Sequence, residues 1–448
     1  MSIFRAYDIR GIFGKDLTGE ISNKIGRAFG TYLKDGTVAV GKDNRLSSPT
    51  LRDSLIDGLI SSGIDVIDIG TVPTPLLYFS IFKLNTDGGV MITGSHNPPE
   101  YNGFKLCKGT DTLYGDEIQE IKKIIDSGEF KREEGKLTEK NIIDDYIGDV
   151  KKKITVKRKL KVVIDAGNGT AGIVAPILFR ELGCDVIELN CKLDGNFPSH
   201  HPDPTIDEYL GELIAIVKEK NADFGVAYDG DADRAGFVDD NGDIIRGDQA
   251  LILFSREILE KRKNSKIVFE VKCSQALIED IKEHGGIPIM YKTGHSFIKK
   301  KIKDEDSPLA GEMSGHFYFR DNYYGYDDGI FASARMAQLL SKSKEKASEL
   351  LAKVPKYYST PEIRIDCPED LKFKIVDEIT KKFKKTNEVI TVDGARIQFK
   401  DGWGLVRASN TQPALILRFE AKTQNRLEEI KKKVIGELRK FPALNKSL

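Results

Sequence analysis

Short apolar runs, each followed by a polar or glycine-rich loop and a helical pattern, recur up to about residue 354, and this alternation most limits the folds open to the chain. TVAVG (37–41) leads to the helical LRDSLIDGLISSG, IDVIDIG (64–70) to TVPTPLLYF, and GGVMITG (88–94) to SHNPPEYNG. After a Lys-rich, poorly apolar stretch near 131–160 the pattern restarts. KVVIDAGNGT (161–170) precedes IVAPILFRELG and the strand CDVIELN, and ADFGVAYDG (222–230) ends in a loop. A third round runs through QALILFSREILEKR, KIVFEV, SQALIEDIKEHGG and IPIMYKTG. Strands alternating with helices form α/β layers, and runs that are apolar throughout suit mainly parallel strands covered on both faces.

A chain of 448 residues exceeds what one hydrophobic core serves. The rounds predict three similar mixed or parallel-sheet α/β domains at 1–145, 146–247 and 248–354. From 355 to 448 the pattern changes to PEIRID, a basic helix, ARIQFKDGWGLVRAS, PALILRFEA and a last helix, which predicts an α+β domain with antiparallel strands. Lys+Arg and Asp+Glu both number 69. With no basic excess to neutralise a phosphate backbone, nucleic acid is not an expected partner, and a small molecule is. No run approaches a membrane span, and the charged MSIFRAYDIRG lacks the apolar core of a leader. Cysteines at 107, 184, 191, 273 and 367 form no C-x-x-C pair, which fits a reduced, cytoplasmic setting. The sequence does not distinguish a monomer from a homodimer.

In open α/β sheets chemistry collects beyond the carboxyl ends of strands. Three carboxylates, Asp229, Asp231 and Asp233, crowd the loop after GVAY and are followed by Arg234. At ~4 Å each like-charged pair costs about 1 kcal/mol in water and about 4 kcal/mol at an effective dielectric of 20. Such crowding calls for a cation, and an all-oxygen set selects a hard one. A calcium-binding EF-hand loop would need Gly and Glu where this chain has Arg234 and Asp240. Ser95 follows a strand end in TGSHNPPEYNGFK. Alone it reads more readily as a turn than as a catalytic serine, and G-x-S-x-G is absent, which removes the serine-hydrolase elbow. Arg407, Ser409, Asn410 and Thr411 form a polar loop between two apolar strands, either a phosphate cradle or a plain hairpin. Glu312 and Ser314 in GEMSGH suit sugar hydroxyls, or a glycine-rich turn. Asn102-Gly103 is a hairpin signal, which would put Lys105 on the return strand, and His295 stands in KTGHS; a lone Lys or His of this kind is ordinarily solvated.

Taken in order, these motifs resemble the α-D-phosphohexomutases, in particular their phosphomannomutase/phosphoglucomutase branch, from FRAYDIRG to RASNTQP. The resemblance implies four domains around a central cleft, each contributing one loop. It implies that Ser95 carries a phosphoryl group whose oxygen joins Asp229, Asp231 and Asp233 on Mg²⁺, with a hexose 1,6-bisphosphate as intermediate and activator. Tyr7 and Arg10 would line the site, and Arg234, Lys272 and His316 would contact a sugar phosphate. Glu312 and Ser314 would read sugar hydroxyls, and Arg407, Ser409, Asn410 and Thr411 would hold the phosphate that does not react. Lys105 or His295 would be the general base. Gly94 stands where many members have Ala, which is expected only to loosen the loop. A phosphoglucosamine mutase, whose loop resembles G-E-Q-S-G-H where this chain has Met313, and a metal-dependent sugar-phosphate phosphatase are the alternatives.

Overall fold

The computed structural model describes residues 3–5, 7–409 and 412–444. They form two compact units, Met1–Ala250 with Ser314–Ala352, and Leu251–Met313 with Lys353–Leu448. The first sheet joins β1 (Ile9–Ile12), β2 (Thr37–Lys42), β3 (Asp65–Thr71), β4 (Gly88–Ile92), β5 (Tyr101–Lys108), β6 (Asp111–Thr112) and β7 (Leu137–Glu139). Its order is β1-β5-β4-β2-β3-β7, with β6 beside β5. β2, β3, β4 and β7 run parallel, whereas β1, β5 and β6 pair antiparallel. The helices α1 (Gly19–Leu33), α2 (Ser48–Ile60), α3 (Thr74–Leu84), α4 (Asp116–Ser127) and α5 (Ile143–Lys153) accompany it. Val38, Val40, Val90 and Ile92 join Phe29, Leu51 and Leu55 in one core, as continuous apolar strands require. In α3, every residue from Thr74 to Ile81 is buried, with Asn85 closing the helix in the left-handed region.

One expectation changes here. Asn102-Gly103 is not a hairpin turn: both residues lie within β5, and the reversal is made by residues 94–101, where Asn97 N–H donates to Gly94 O and Tyr101 N–H to Pro98 O. Asn102 instead donates through Nδ2 to the hydroxyls of Ser47 and Ser48. The stretch near 131–160 also has regular structure. In α5, Tyr146, Ile147 and Val150 are buried on one face, with Asp144 and Asp145 in the first turn and Lys151, Lys152 and Lys153 in the last. Those charges complement the helix dipole, which explains why the segment looks poorly apolar and still folds.

A second sheet of the same unit comprises β8 (Lys161–Asp165), β9 (Asp185–Leu189), β10 (Phe224–Tyr228), β11 (Ala235–Val238) and β12 (Ile244–Ile245), with α6 (Ala175–Glu181) and α7 (Gly211–Lys220). β8, β9 and β10 are parallel; β10–β11 and β11–β12 are antiparallel. α8 (Gly247–Lys261) carries the chain into the second unit, which begins with β13 (Lys266–Glu270), α9 (Gln275–Glu283), β14 (Ile287–Tyr291), α10 (His295–Asp304) and β15 (Leu309–Gly311). β13 lies between β14 and β15, parallel to both. The chain then returns to the first unit for β16 (Phe317–Phe319), α11 (Gly329–Lys342) and α12 (Ala347–Leu351).

The last segment of the second unit is antiparallel. It contains β17 (Tyr358–Ser359), β18 (Ile363–Asp366), α13 (Lys372–Phe383), β19 (Val389–Ile390), β20 (Ala395–Phe399), β21 (Gly402–Ala408), β22 (Ala414–Ala421) and α14 (Gln424–Leu438). Ile375, Ile379, Leu427 and Val434 from the helices pack with Ile397, Val406 and Leu417 from the strands. The α/β rounds and the α+β ending thus agree with the fold class read from the sequence. Among the described residues, no helix is long and apolar enough to cross a membrane.

Candidate active site

Ser95 follows β4, is 3% exposed, and has a backbone φ of +49°. A serine in that left-handed region must be held by its surroundings. The holder is Arg45, itself 1% exposed. Its Nη2 donates to Ser95 O at 2.7 Å and Asn97 O at 2.6 Å, its Nη1 to Pro98 O at 2.5 Å and Tyr101 O at 3.1 Å, and its Nε to Asp43 at 3.1 Å. Four guanidinium hydrogen bonds go to carbonyl oxygens of the serine loop and the fifth to Asp43. Asp43 closes the assembly by accepting from Gly94 N–H and Ser48 Oγ.

A Cβ on Gly94 would overlap Cζ and Nε of Arg45. The expectation that glycine here merely loosens the loop is therefore overturned: the guanidinium fills the space that a methyl group would need. Gly94→Ala is expected to cost about 1–3 kcal/mol by overpacking. A lower urea midpoint together with reduced turnover would show it; unchanged values would contradict the steric account.

The serine hydroxyl donates to Asp229 Oδ2 at 2.7 Å and lies 3.1 Å from His96 Nδ1. Asp229, Asp231 and Asp233 follow β10 and are all buried. Their ligand oxygens lie within 4.8 Å of one another. Ala232, at φ +59°, gives the loop a tight reversal between Asp231 and Asp233. Lys105 comes from β5, opposite Met91, and is not solvated: its Nζ reaches Asp231 at 2.8 Å and Asp233 at 2.5 Å. Burial opposes its charge, but Asp231 and Asp233 more than offset this and hold the ammonium above the usual lysine range. Burial, reinforced by the other two carboxylates, pushes Asp229 well above the carboxylate range. For Asp231 burial acts in the same sense, yet Lys105 and Thr74 win and hold it low.

The donor set fits a cation. Asp231 Oδ1 and Asp233 Oδ1 are buried and have no hydrogen-bond partner among the described residues. Two bare carboxylate oxygens in the loop that the serine hydroxyl reaches through Asp229 are what a hard divalent ion would satisfy. His316 forms, with Asp233 and Asp327, a second buried group whose ligand atoms lie within 4.8 Å of one another. Its Nε2 accepts from Arg234 Nε at 3.0 Å, which leaves the proton of the neutral ring on Nδ1, 3.4 Å from Asp327 and 3.6 Å from Asp233. Burial and then Arg234 keep both His316 and His96 well below the usual histidine range. Arg10 lies on β1 in register with Gly103 and pairs with Asp8 at 2.6 Å. Tyr7 and Ser314 are half-buried residues of the same unit.

The second unit assembles a different group. Glu270 accepts from Lys272 N–H, Thr293 Oγ1 and Met313 N–H. Gly294, just before His295, donates to Glu312 at 2.8 Å, and Thr293 N–H donates to Asp393 at 3.0 Å. Asp393 also takes Arg407 at 3.0 Å, and Glu362 takes Lys272 at 3.1 Å. Burial penalises Glu362, but Lys272 pulls it down to about 2. Ser409 N–H donates to Ala414 O, and Ser409 Oγ accepts from Gln412 N–H. Lys272 and Arg407 are thus tied through Glu270, Thr293 and Asp393, and Glu312 is tied to the backbone next to His295. Asn410 and Thr411 lie outside the described residues. Thr74, Arg45, Asp43, Asp327, Glu270, Glu362 and Asp393 were not singled out from the sequence.

Four family models match the chain: phosphoglucomutase/phosphomannomutase α/β/α domain I over 1–132, domain II over 144–242, domain III over 246–358, and the C-terminal domain over 362–437. A phosphomannomutase/phosphoglucomutase of Pseudomonas putida is 48% identical across 96% of this chain and 94% of its own. A phosphoglucomutase of Neisseria gonorrhoeae is 46% identical across 99% of this chain and 98% of its own. The crystal structure of a phosphoglucomutase/phosphomannomutase family protein from Burkholderia thailandensis superimposes with a TM-score of 0.93 at 42% identity, covering 98% of this chain and 97% of that one.

Proposed function

Because the chain belongs to the phosphoglucomutase/phosphomannomutase family of phosphotransferase mutases, we propose that it interconverts hexose 1-phosphate and hexose 6-phosphate through phosphorylated Ser95. The observation that carries this reading is the Ser95 hydroxyl, 2.7 Å from Asp229, whose loop holds two bare buried carboxylate oxygens on Asp231 and Asp233. Mannose and glucose phosphates are the proposed substrates, because the relatives from Pseudomonas and Neisseria carry those names and Met313 departs from the glucosamine pattern.

Asp229, Asp231, Asp233 and an oxygen on Ser95 are the proposed Mg²⁺ ligands; the bound ion would supply positive charge to the transferring phosphoryl group. In the first half-reaction, the bond between phosphorus and Ser95 Oγ breaks as a bond from phosphorus to the sugar hydroxyl forms. Lys105, Arg10 and Arg234 stabilise the phosphoryl oxygens. The hydroxyl proton goes to His295, because Lys105 is already an ammonium held charged by Asp231 and Asp233 and has no lone pair to accept it. Arg407, Ser409, Asn410, Thr411 and Lys272 hold the phosphate that stays on the sugar. Glu312 and Ser314 bind hydroxyls, and Tyr7 contacts substrate. The product, a hexose 1,6-bisphosphate, rebinds reversed and returns its other phosphate to Ser95. The limits 1–145, 146–247, 248–354 and 355–448 assign one such loop to each domain.

A phosphatase with the same residues would pass the group to water. Supplied with mannose 1-phosphate or glucose 1-phosphate, Mg²⁺ and a trace of the 1,6-bisphosphate, the chain should return the matching 6-phosphate with all phosphorus still on sugar. Stoichiometric free phosphate would establish hydrolysis instead.

A further inference from the structure

Thr74 opens α3 and is completely buried. Its hydroxyl donates to Asp231 Oδ2 at 2.6 Å, and its N–H donates to Asp231 O at 2.8 Å. One residue thus fixes both the side chain and the main chain of a residue 157 positions away. Lys105 donates to the same Oδ2 at 2.8 Å. Two donors therefore converge on one oxygen, while Oδ1 has no hydrogen-bond partner among the described residues.

A carboxylate turns about its Cβ–Cγ bond unless its oxygens are made unequal. Lys105 alone cannot do this, because its ammonium is a point charge shared with Asp233 at 2.5 Å and could follow either oxygen of Asp231. The threonine hydroxyl is directional and anchored by a β-branched side chain at the start of a helix. The end of α3 facing Asp231 is also the positive end of its dipole, which favours the ionised carboxylate. We propose that Thr74 is a positioning residue that presents Asp231 Oδ1 to the cation. The inference rests on the reading of Asp229, Asp231 and Asp233 as cation ligands. Outer partners of ligating carboxylates have large effects on metal affinity when they are removed.

The test is direct Mn²⁺ titration of the full chain, with free ion followed by electron paramagnetic resonance. Thr74→Val keeps the shape and removes the donor, and Thr74→Ala gives the same loss with less crowding should the valine variant not fold. Either should bind Mn²⁺ about tenfold or more weakly than the wild type. Thr74→Ser, which keeps the hydroxyl, should retain wild-type affinity. Wild-type affinity in the folded Ala or Val variant would overturn the inference, as would an equal loss in Thr74→Ser. Asp231→Asn separates the two claims. If the wild type binds no Mn²⁺, or Asp231→Asn binds it as tightly as the wild type does, the cation reading fails and takes the inference with it.

Discussion

Ser95→Ala is expected to lose mutase turnover by about 10³-fold or more, since removing a covalent nucleophile leaves only binding and charge stabilisation. The fold should survive. Alanine fits the backbone that Arg45 holds through the carbonyl oxygens of the loop, and those bonds do not involve the serine side chain. What is lost structurally is the pair of hydroxyl hydrogen bonds to Asp229 and His96, worth about 1 kcal/mol each. A coupled assay in both directions, with urea unfolding of the same preparation, checks both halves. Substantial turnover in a folded Ser95→Ala chain would remove the serine from the chemistry.

Lys105→Met should have the second largest effect, and on stability as well as rate. The ammonium is buried between Asp231 and Asp233, and methionine fills similar space without charge. Removing one partner from a buried ion pair costs about 3–5 kcal/mol, because the other charge stays behind without compensation. Here two carboxylates are left. Mg²⁺ should restore part of that loss, because a cation among the aspartates supplies the missing charge, and it should stabilise the variant more than the wild type. Urea midpoints with and without Mg²⁺ test this. An unchanged midpoint in Lys105→Met would contradict the electrostatic account of the loop.

The site was legible where its chemistry is contiguous in sequence. Asp229, Asp231 and Asp233 stand two residues apart, and their mutual repulsion demanded an explanation that no turn could give. Ser95 became readable only beside that loop and through the family resemblance. The residues that hold these groups were not legible. Arg45 and Thr74 act on partners 50 and 157 positions away, and nothing local in DNRLSS or TVPTPLL marks either one. Asn102-Gly103 misled because local turn chemistry was satisfied elsewhere: residues 94–101 make the reversal, and Asn102 serves α2 instead. Gly94 misled in another way. Its reason lies in an arginine brought beside it by the fold, which no rule of backbone freedom contains. In the second unit, Arg407 is legible in its polar loop and Lys272 only through the family resemblance, and the carboxylates that hold them, Asp393 and Glu362, lie on other segments.

In the proposed reaction the phosphoryl group passes through Ser95 itself. Incubation with hexose 1,6-bisphosphate labelled in phosphorus, followed by digestion and peptide mass spectrometry, tests it most directly. One phosphate per chain is expected on Ser95, fully chased onto sugar when unlabelled hexose monophosphate is added. Label on another residue, or label on Ser95 that does not chase onto sugar, would contradict it.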